Sequence, residues 1–412
     1  MKVLFIAEAV TLAHVGRSIR LASILHRNGI DVELACDKRY TQFLASLDFP
    51  VRSVRSIPTA TFLERLARGR PAFSSATLAA YLAEDLSILR ESKPDVVVGD
   101  FRLSLSASAR VAGIPYVNVT NAYWSPYAKP HFRMPSLPFM PRLGDTLSTA
   151  VFRMVRPVGF ALHAGPVNRL RRDYGLPRLG WDVRRVYCDG DLTLYADISN
   201  LIPVFSAPRT HRYIGPVLWS PPVAPPLWWD AVLNGEPPIY ISLGSSGPAK
   251  LLPMVVEVLA GLGRPMVVAT AGNPVQLPSN PRLWVADFLP GETIAAKACL
   301  VVCNGGSPTV QQALVHGIPV VGIASNLDQY LNMEYVEQFG AGILLRADQP
   351  DPAKLRKAIQ RAIEDASLRE KAGLVAELAT AIRPDVEFPA TIREMFDPRP
   401  QKDSQREGVP LG

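Results

Sequence analysis

Cysteine is scarce. Four residues in 412, with no CxxC pair, leave neither a disulfide framework nor a thiolate metal cluster. Cys299 and Cys303 run into an apolar stretch, so reduced, packed thiols are expected, as in a cytoplasmic protein. No apolar run approaches the ~18 residues that span a bilayer. The opening Lys2-Val-Leu-Phe-Ile-Ala stops at Glu8 and leads into a helical pattern, so it reads as a strand rather than a secretory signal. Charge of one sign is also in short supply: Lys+Arg is 44 against Asp+Glu 37, a net +7. The arginines are scattered, and the densest run, Arg169–Arg172 with Arg178, Arg184 and Arg185, has little aromatic interleaving. A nucleic-acid partner is therefore not expected, and a solvated basic face or contact with an anionic membrane accounts for them. Residues 7–16 hold one glycine and no Gly-Lys-Ser/Thr occurs, which excludes a dinucleotide fingerprint and a P-loop.

Proline is plentiful, 38 residues, and much of it lies in 115–141 and 203–238. The length suggests two or three domains at ~100–200 residues each. Val3–Ala7, Val32–Cys36, Asp95–Asp100 and Ile114–Thr120 are apolar runs separated by helical stripes such as Val15, Ile19, Ala22 and Leu25. Continuous rather than alternating apolar runs are expected of parallel strands buried on both faces. The same rhythm restarts at Ile239 and continues through Met266, Trp284, Leu300, Pro319 and Ile343. The pattern predicts the α/β fold class, with two doubly wound Rossmann-like domains. We expect an N-terminal domain over 1–214, a proline-rich linker over 215–238 and a second domain over 239–385. A helix over 386–397 is expected to return to the first domain, before a disordered tail at 398–412. Residues 123–180 show no clear periodicity, and 352–381 reads as one helix.

Two glycine turns suit an anion. Asn304-Gly-Gly-Ser-Pro-Thr follows a strand, with Ser307 expected as the helix N-cap and Pro308 at the first position. Leu243-Gly-Ser-Ser-Gly is the second. Glycine admits close backbone approach, and a helix start offers unpaired N–H groups that fit a diphosphate. A tight strand–helix turn without ligand explains either one equally well.

Together, Phe288-Leu-Pro-Gly, Asn304-Gly-Gly-Ser-Pro-Thr-Val-Gln-Gln-Ala-Leu, His316-Gly-Ile-Pro, Asp328-Gln329, Asn332 and Gly340-Ala-Gly resemble the donor-site signature of the UDP-glycosyltransferase superfamily. Its bacterial natural-product members are two-domain GT-B enzymes, so the resemblance implies two doubly wound domains facing across a cleft. The resemblance implies a nucleoside-diphosphate sugar, UDP- or dTDP-linked, as co-substrate, with no cofactor and no metal. It places Phe288 and Leu289 by the base. Ser245, Asn304, Gly306, Ser307 and Thr309 would line the diphosphate, and Asp328 with Gln329 would hold the sugar. His14, in the loop after the first strand, stands where the family has its general base, and Asp100 where it has the orienting acid. Such a pair can take a hydroxyl proton and stabilise the imidazolium. Tyr123, Trp124 and Phe139 are candidates for an apolar small-molecule or lipid acceptor, although core packing explains them as well.

Three departures stand out. Asn304 replaces the family's histidine, Pro308 a glycine, and Gln312 a glutamate. They motivate an alternative, a non-catalytic ligand-binding or partner protein on the same fold; a sugar-nucleotide epimerase or hydrolase is a third. The DxD string Asp189-Gly-Asp191 reads as a turn, not a metal site. The expected setting is cytoplasmic, with peripheral contact at the inner membrane surface left open.

Overall fold

A computed structural model describes residues 1–135 and 145–396. Phe139 and the tail 398–412 lie outside the described residues.

The first sheet contains β1 (Lys2–Ala7), β2 (Asp31–Cys36), β3 (Val51–Ser53), β4 (Val96–Asp100), β5 (Tyr116–Thr120), β6 (Leu192–Tyr195) and β7 (His211–Tyr213). Their order is β3-β2-β1-β4-β5-β6-β7, every pair parallel. The second sheet contains β8 (Ile239–Ser242), β9 (Met266–Ala269), β10 (Leu283–Ala286), β11 (Leu300–Cys303), β12 (Val320–Ala324) and β13 (Gly342–Arg346). Its order is β10-β9-β8-β11-β12-β13, again all parallel. In each sheet the order reverses direction beside the first strand, β1 or β8. That point opens a crevice at the carboxyl ends of the strands, where open α/β sheets bind ligands. Val3–Ala7 and Leu300–Cys303 are buried throughout, which is why they read as unbroken apolar runs.

Three local expectations are corrected. The stretch 145–173 is one 29-residue helix, Asp145–Asp173, with Pro157 and Pro166 inside it. Those prolines, with Gly159 and Gly165, obscured a helical pattern that packing sustains. Residues 352–381 form two helices, Pro352–Glu364 and Ala366–Ala379, because the Asp365 side chain accepts from Ser367 N and caps a new start. The proline-rich stretch 215–238 includes a short helix, Trp229–Leu233.

The last helix, Pro384–Phe396, packs beside the first, Leu12–Arg27. Phe388 meets Phe5 edge-on at 6.3 Å, and Asp385 pairs with Arg20 at 2.9 Å. A single apolar cluster joins Tyr123, Phe132 and Met134 beside the first sheet to Leu331, Met333 and Val336 beside the second. The crossing chain is held as closely. Gly16 lies against the Trp219 indole, so near that a Cβ at position 16 would overlap the ring. Gly16→Ala is expected to cost about 1–3 kcal/mol through overpacking, measured by chemical denaturation.

Candidate functional site

β1 ends at Ala7 and the chain reaches helix Leu12–Arg27 within five residues. His14 is therefore in the first helical turn, not in a loop as expected, and the helix fixes its direction. β4 ends at Asp100, which is buried. His14 Nδ1 lies 2.8 Å from Asp100 Oδ1. The imidazole also stacks on Phe101 with ring centroids 4.9 Å apart and planes 7° from parallel. Phe101 has φ +60°, a left-handed conformation that costs a bulky residue about 1–3 kcal/mol. This backbone aims Asp100 and the Phe101 ring at the same histidine. One residue on, fully buried Arg102 pairs with Glu8 at 3.2 Å and with Asp85 at 3.0 Å, which anchors the turn from below.

Asp100 has a second partner that the sequence reading missed. Arg17 donates from Nε to Asp100 Oδ2 at 2.6 Å and from Nη2 to Oδ1 at 2.8 Å. Burial opposes the carboxylate, but Arg17 and His14 outweigh it and hold its pKa below the ordinary value. Asp100 therefore stays ionised, as an orienting acid must.

The glycine turns meet as expected. Gly244 has φ +65° and Gly305 φ +79°. Added Cβ atoms at Gly244, Gly247 and Gly306 would all approach the Asn304 side chain, so both turns close around it. Asn304 Oδ1 accepts from Gly306 N at 3.0 Å. The N-cap of helix Ser307–Leu314 is Gly306, not Ser307, and no side chain caps it. The reason is that the Ser307 hydroxyl is engaged elsewhere, accepting from Asn121 Nδ2 at 3.0 Å. Backbone N–H groups of the first turn are left for an anion, with half-buried Thr309 in that turn. Ser245 sits opposite His14's helix, its Oγ accepting from Leu12 N at 3.5 Å.

Asp328 also faces the first domain. Its Oδ1 accepts from Trp124 Nε1 at 2.7 Å, and its charge adds to burial in pushing the pKa of Tyr123 up. Gln329 is committed locally: its Oε1 accepts from Ser325 N at 2.8 Å and closes a capping box with Asn326. Phe288 meets Phe43 edge-on at 5.3 Å, whereas Leu289 is turned into the core of the second sheet. The structure thus brings together His14, Asp100, Ser245, Asn304, Ser307 and Asp328. It leaves the Leu289 and Gln329 side chains facing inward. Asp189 of the DxD string accepts from Ser106 Oγ at 2.7 Å and from Arg110 at 3.0 Å, which accounts for its carboxylate.

A bridge of side chains joins the two halves. Arg17 Nη1 donates to Asn121 Oδ1 at 2.9 Å, and Asn121 Nδ2 donates to Asp197 Oδ1 at 3.0 Å as well as to Ser307. Gln311 Nε2, on the helix that starts at Ser307, donates to Asp197 Oδ1 at 2.9 Å and to Ala196 O at 2.8 Å. Asn121 and Asp197 each follow the end of a strand, and Arg17 stands one turn after His14. Those positions were the signal available in the sequence. Gln312 holds the crossing chain through Trp219 O at 2.8 Å.

Burial pushes the Asp197 carboxyl up to about 6, against hydrogen bonds from Ala122 N and Asn121. An acid raised in the folded state stabilises it most when protonated, and that contribution fades as pH climbs through the folded value. Between pH 5 and 7.5 the loss through Asp197 is about 1 kcal/mol. In a Tm–pH series the wild type is expected to fall relative to Asp197→Asn across this window.

Comparison with known proteins bears on the fold and the family. The family model for the erythromycin biosynthesis protein CIII-like C-terminal domain matches residues 256–392. A PGL/p-HBAD biosynthesis glycosyltransferase of Mycobacterium tuberculosis (strain ATCC 25177 / H37Ra) is 47% identical over 378 residues, 91% of this chain and 88% of that protein. A PGL/p-HBAD biosynthesis rhamnosyltransferase of Mycobacterium bovis (strain BCG / Pasteur 1173P2) is 46% identical over 91% of this chain and 84% of its own. The solved spinosyn rhamnosyltransferase SpnG superposes with a TM-score of 0.69 at 20% identity, covering 96% of this chain and 100% of its own. SpnG has also been solved with thymidine diphosphate and with spinosyn aglycone. Likeness over nine-tenths of the chain, on the same two-sheet fold, makes this protein a GT-B glycosyltransferase of the family that includes the PGL/p-HBAD biosynthesis enzymes.

Proposed function

We propose that the protein is an inverting, metal-independent glycosyltransferase with His14 as general base. The sugar comes from a dTDP- or UDP-linked donor, and the acceptor is a hydroxyl of an apolar small molecule or lipid in a glycolipid or natural-product pathway. The carrying observation is the 2.8 Å His14–Asp100 contact beside the paired glycine turns. Asp100 accepts the Nδ1 proton and so leaves Nε2 free to take the acceptor proton. The acceptor oxygen attacks the anomeric carbon from the face opposite the departing diphosphate, hence inversion. Backbone N–H groups at the start of helix Ser307–Leu314, with Ser245 and Asn304, receive the developing charge without a metal ion. On this reading residues 1–214 bind the acceptor, 215–238 link, and 239–385 bind the donor.

The thymidine diphosphate complex of SpnG supports dTDP as the nucleotide, and the relative named a rhamnosyltransferase supports a deoxyhexose. Asp328 would meet sugar hydroxyls while anchored by Trp124. Phe288 would flank the base. Tyr123 is buried, whereas half-buried Trp124 would border the acceptor. Phe139 keeps its acceptor role only as a sequence expectation. Two of the departures from the family signature have structural roles, since Gln312 ties the crossing chain and Asn304 shapes the loop. Four unpaired cysteines support a cytoplasmic setting, with peripheral contact at the membrane.

Donor consumption with dTDP- and UDP-sugars and a panel of hydroxylated aromatic and lipid acceptors tests the proposal. Turnover requiring both substrates and surviving EDTA is expected, with a loss of about 10²–10⁴-fold in His14→Ala. Full turnover in that variant would refute the base assignment. Nucleotide binding without turnover in the wild type would favour the non-catalytic alternative. A thermal-shift screen is expected to show stabilisation by dTDP of about 2.7 kcal/mol at 100 times its Kd.

A further inference from the structure

We propose that the outward face of helix Asp145–Asp173, with the loop that follows it, docks onto a membrane bearing anionic headgroups. The helix has two apolar faces where a surface helix ordinarily has one. Phe152, Phe160, Ala164, Val167 and Leu170 are buried against the first domain. On the opposite side Leu147, Met154, Val155, Val158 and Leu162 are exposed, Met154 at 81%, Val158 at 65% and Leu162 at 60%. Their spacings of three, four and seven residues place them in a single stripe. Among the described residues nothing covers that stripe. At the same spacing it continues into Arg169 and Arg172, both exposed.

Charge selects the occupant. Residues 145–185 hold eight arginines against three aspartates, with no lysine or glutamate, so they supply +5 of the chain's net +7. The loop after the helix is pinned back onto it. Asn168 Nδ2 donates to Gly180 O at 2.6 Å, and Arg171 Nε donates to Pro177 O at 2.7 Å. This brings exposed Arg178 and Trp181 alongside the last turns, with the Arg178 guanidinium 5.8 Å from the centre of the Trp181 ring. Apolar side chains on one stripe, guanidinium groups beside them and an exposed tryptophan match a helix lying in the headgroup–acyl boundary. A second copy fits poorly, because a two-fold contact through this face would set its exposed arginines, Arg169, Arg172 and Arg178, against their own counterparts.

The inner face of the helix meets the segment that carries the donor contact. Phe132 lies 5.6 Å from Phe160, and Arg156 stacks 4.0 Å above Phe132. Phe132 follows Trp124, which holds Asp328, by eight residues. A bilayer on the outer face would lie next to the proposed acceptor region, so an apolar acceptor could reach it without crossing water. The surface goes beyond the catalytic proposal, and vesicle binding reads it without donor or acceptor.

Flotation of the full chain with phosphatidylcholine vesicles, and with vesicles of phosphatidylcholine and phosphatidylglycerol, is the test. Binding only to the anionic vesicles is expected, weakening with salt. A drop of about tenfold or more is expected in the triple variant Met154→Glu/Val158→Glu/Leu162→Glu and in Arg169→Glu/Arg172→Glu/Arg178→Glu. Hydrogen exchange on the wild type, with and without vesicles, is expected to show protection confined to 145–185, a readout independent of how the variants fold. Absence of flotation, binding unchanged in both triples, or protection elsewhere would overturn the assignment. So would self-association in sedimentation that the Met154 triple abolishes while vesicles leave the wild type unbound.

Discussion

Asp100 is a buried carboxylate whose two oxygens are claimed from one helix by two side chains of different purpose. His14 takes one oxygen, and Arg17 takes both. Removing an ion from water costs several kcal/mol unless opposite charge and hydrogen bonds replace the lost solvation. Arg17 supplies that replacement permanently, because guanidinium does not titrate in the working range. His14 is thereby relieved of neutralising the acid, and its contact with Oδ1 serves to orient the ring.

The same guanidinium extends the site across the cleft. Its remaining nitrogen orients Asn121, which touches both Asp197 and Ser307, and Gln311 returns from the donor-side helix to Asp197. The histidine that would move a proton and the helix start that would receive a phosphate therefore share one chain of hydrogen bonds. Geometry at reacting centres is worth several kcal/mol of barrier, and a rigid chain of this kind is how a two-domain enzyme holds it. Aromatic contact between Phe43 and Phe288, and the Arg133–Glu337 ion pair at 2.7 Å, repeat the connection nearby. Substitutions in the family signature fall on this wiring: Gln312 holds the crossing chain and Asn304 fills the space between the glycine turns.

Much of the architecture was legible because parallel strands buried on both faces leave unbroken apolar runs. Val3–Ala7, Val96–Asp100 and Leu300–Cys303 each showed one, and each glycine turn follows such a run. Helix Asp145–Asp173 was not legible, since two prolines and two glycines interrupt the period that tertiary packing then sustains. His14 reads as a loop residue because the apolar stripe is clear only from Val15 onward, although Thr11, a capping residue type, stands at the N-cap of helix Leu12–Arg27. Gln329 was assigned to the sugar through its neighbour Asp328, whereas its own amide oxygen closes the capping box.

Resemblance to a family, not local pattern, brought forward His14, Asp100 and Asp328, and by itself the sequence determined the two-sheet α/β class and the positions of the glycine turns. Those features rest on local pattern: apolar runs, turn residues and spacing along one strand–helix unit. Only the tertiary structure decided that Arg17 sustains Asp100, that Asn121, Asp197 and Gln311 join the halves, and that helix Asp145–Asp173 keeps an apolar face outward. Each of these depends on contacts between residues tens to hundreds of positions apart, and no local pattern encodes which distant side chain will neutralise a buried charge.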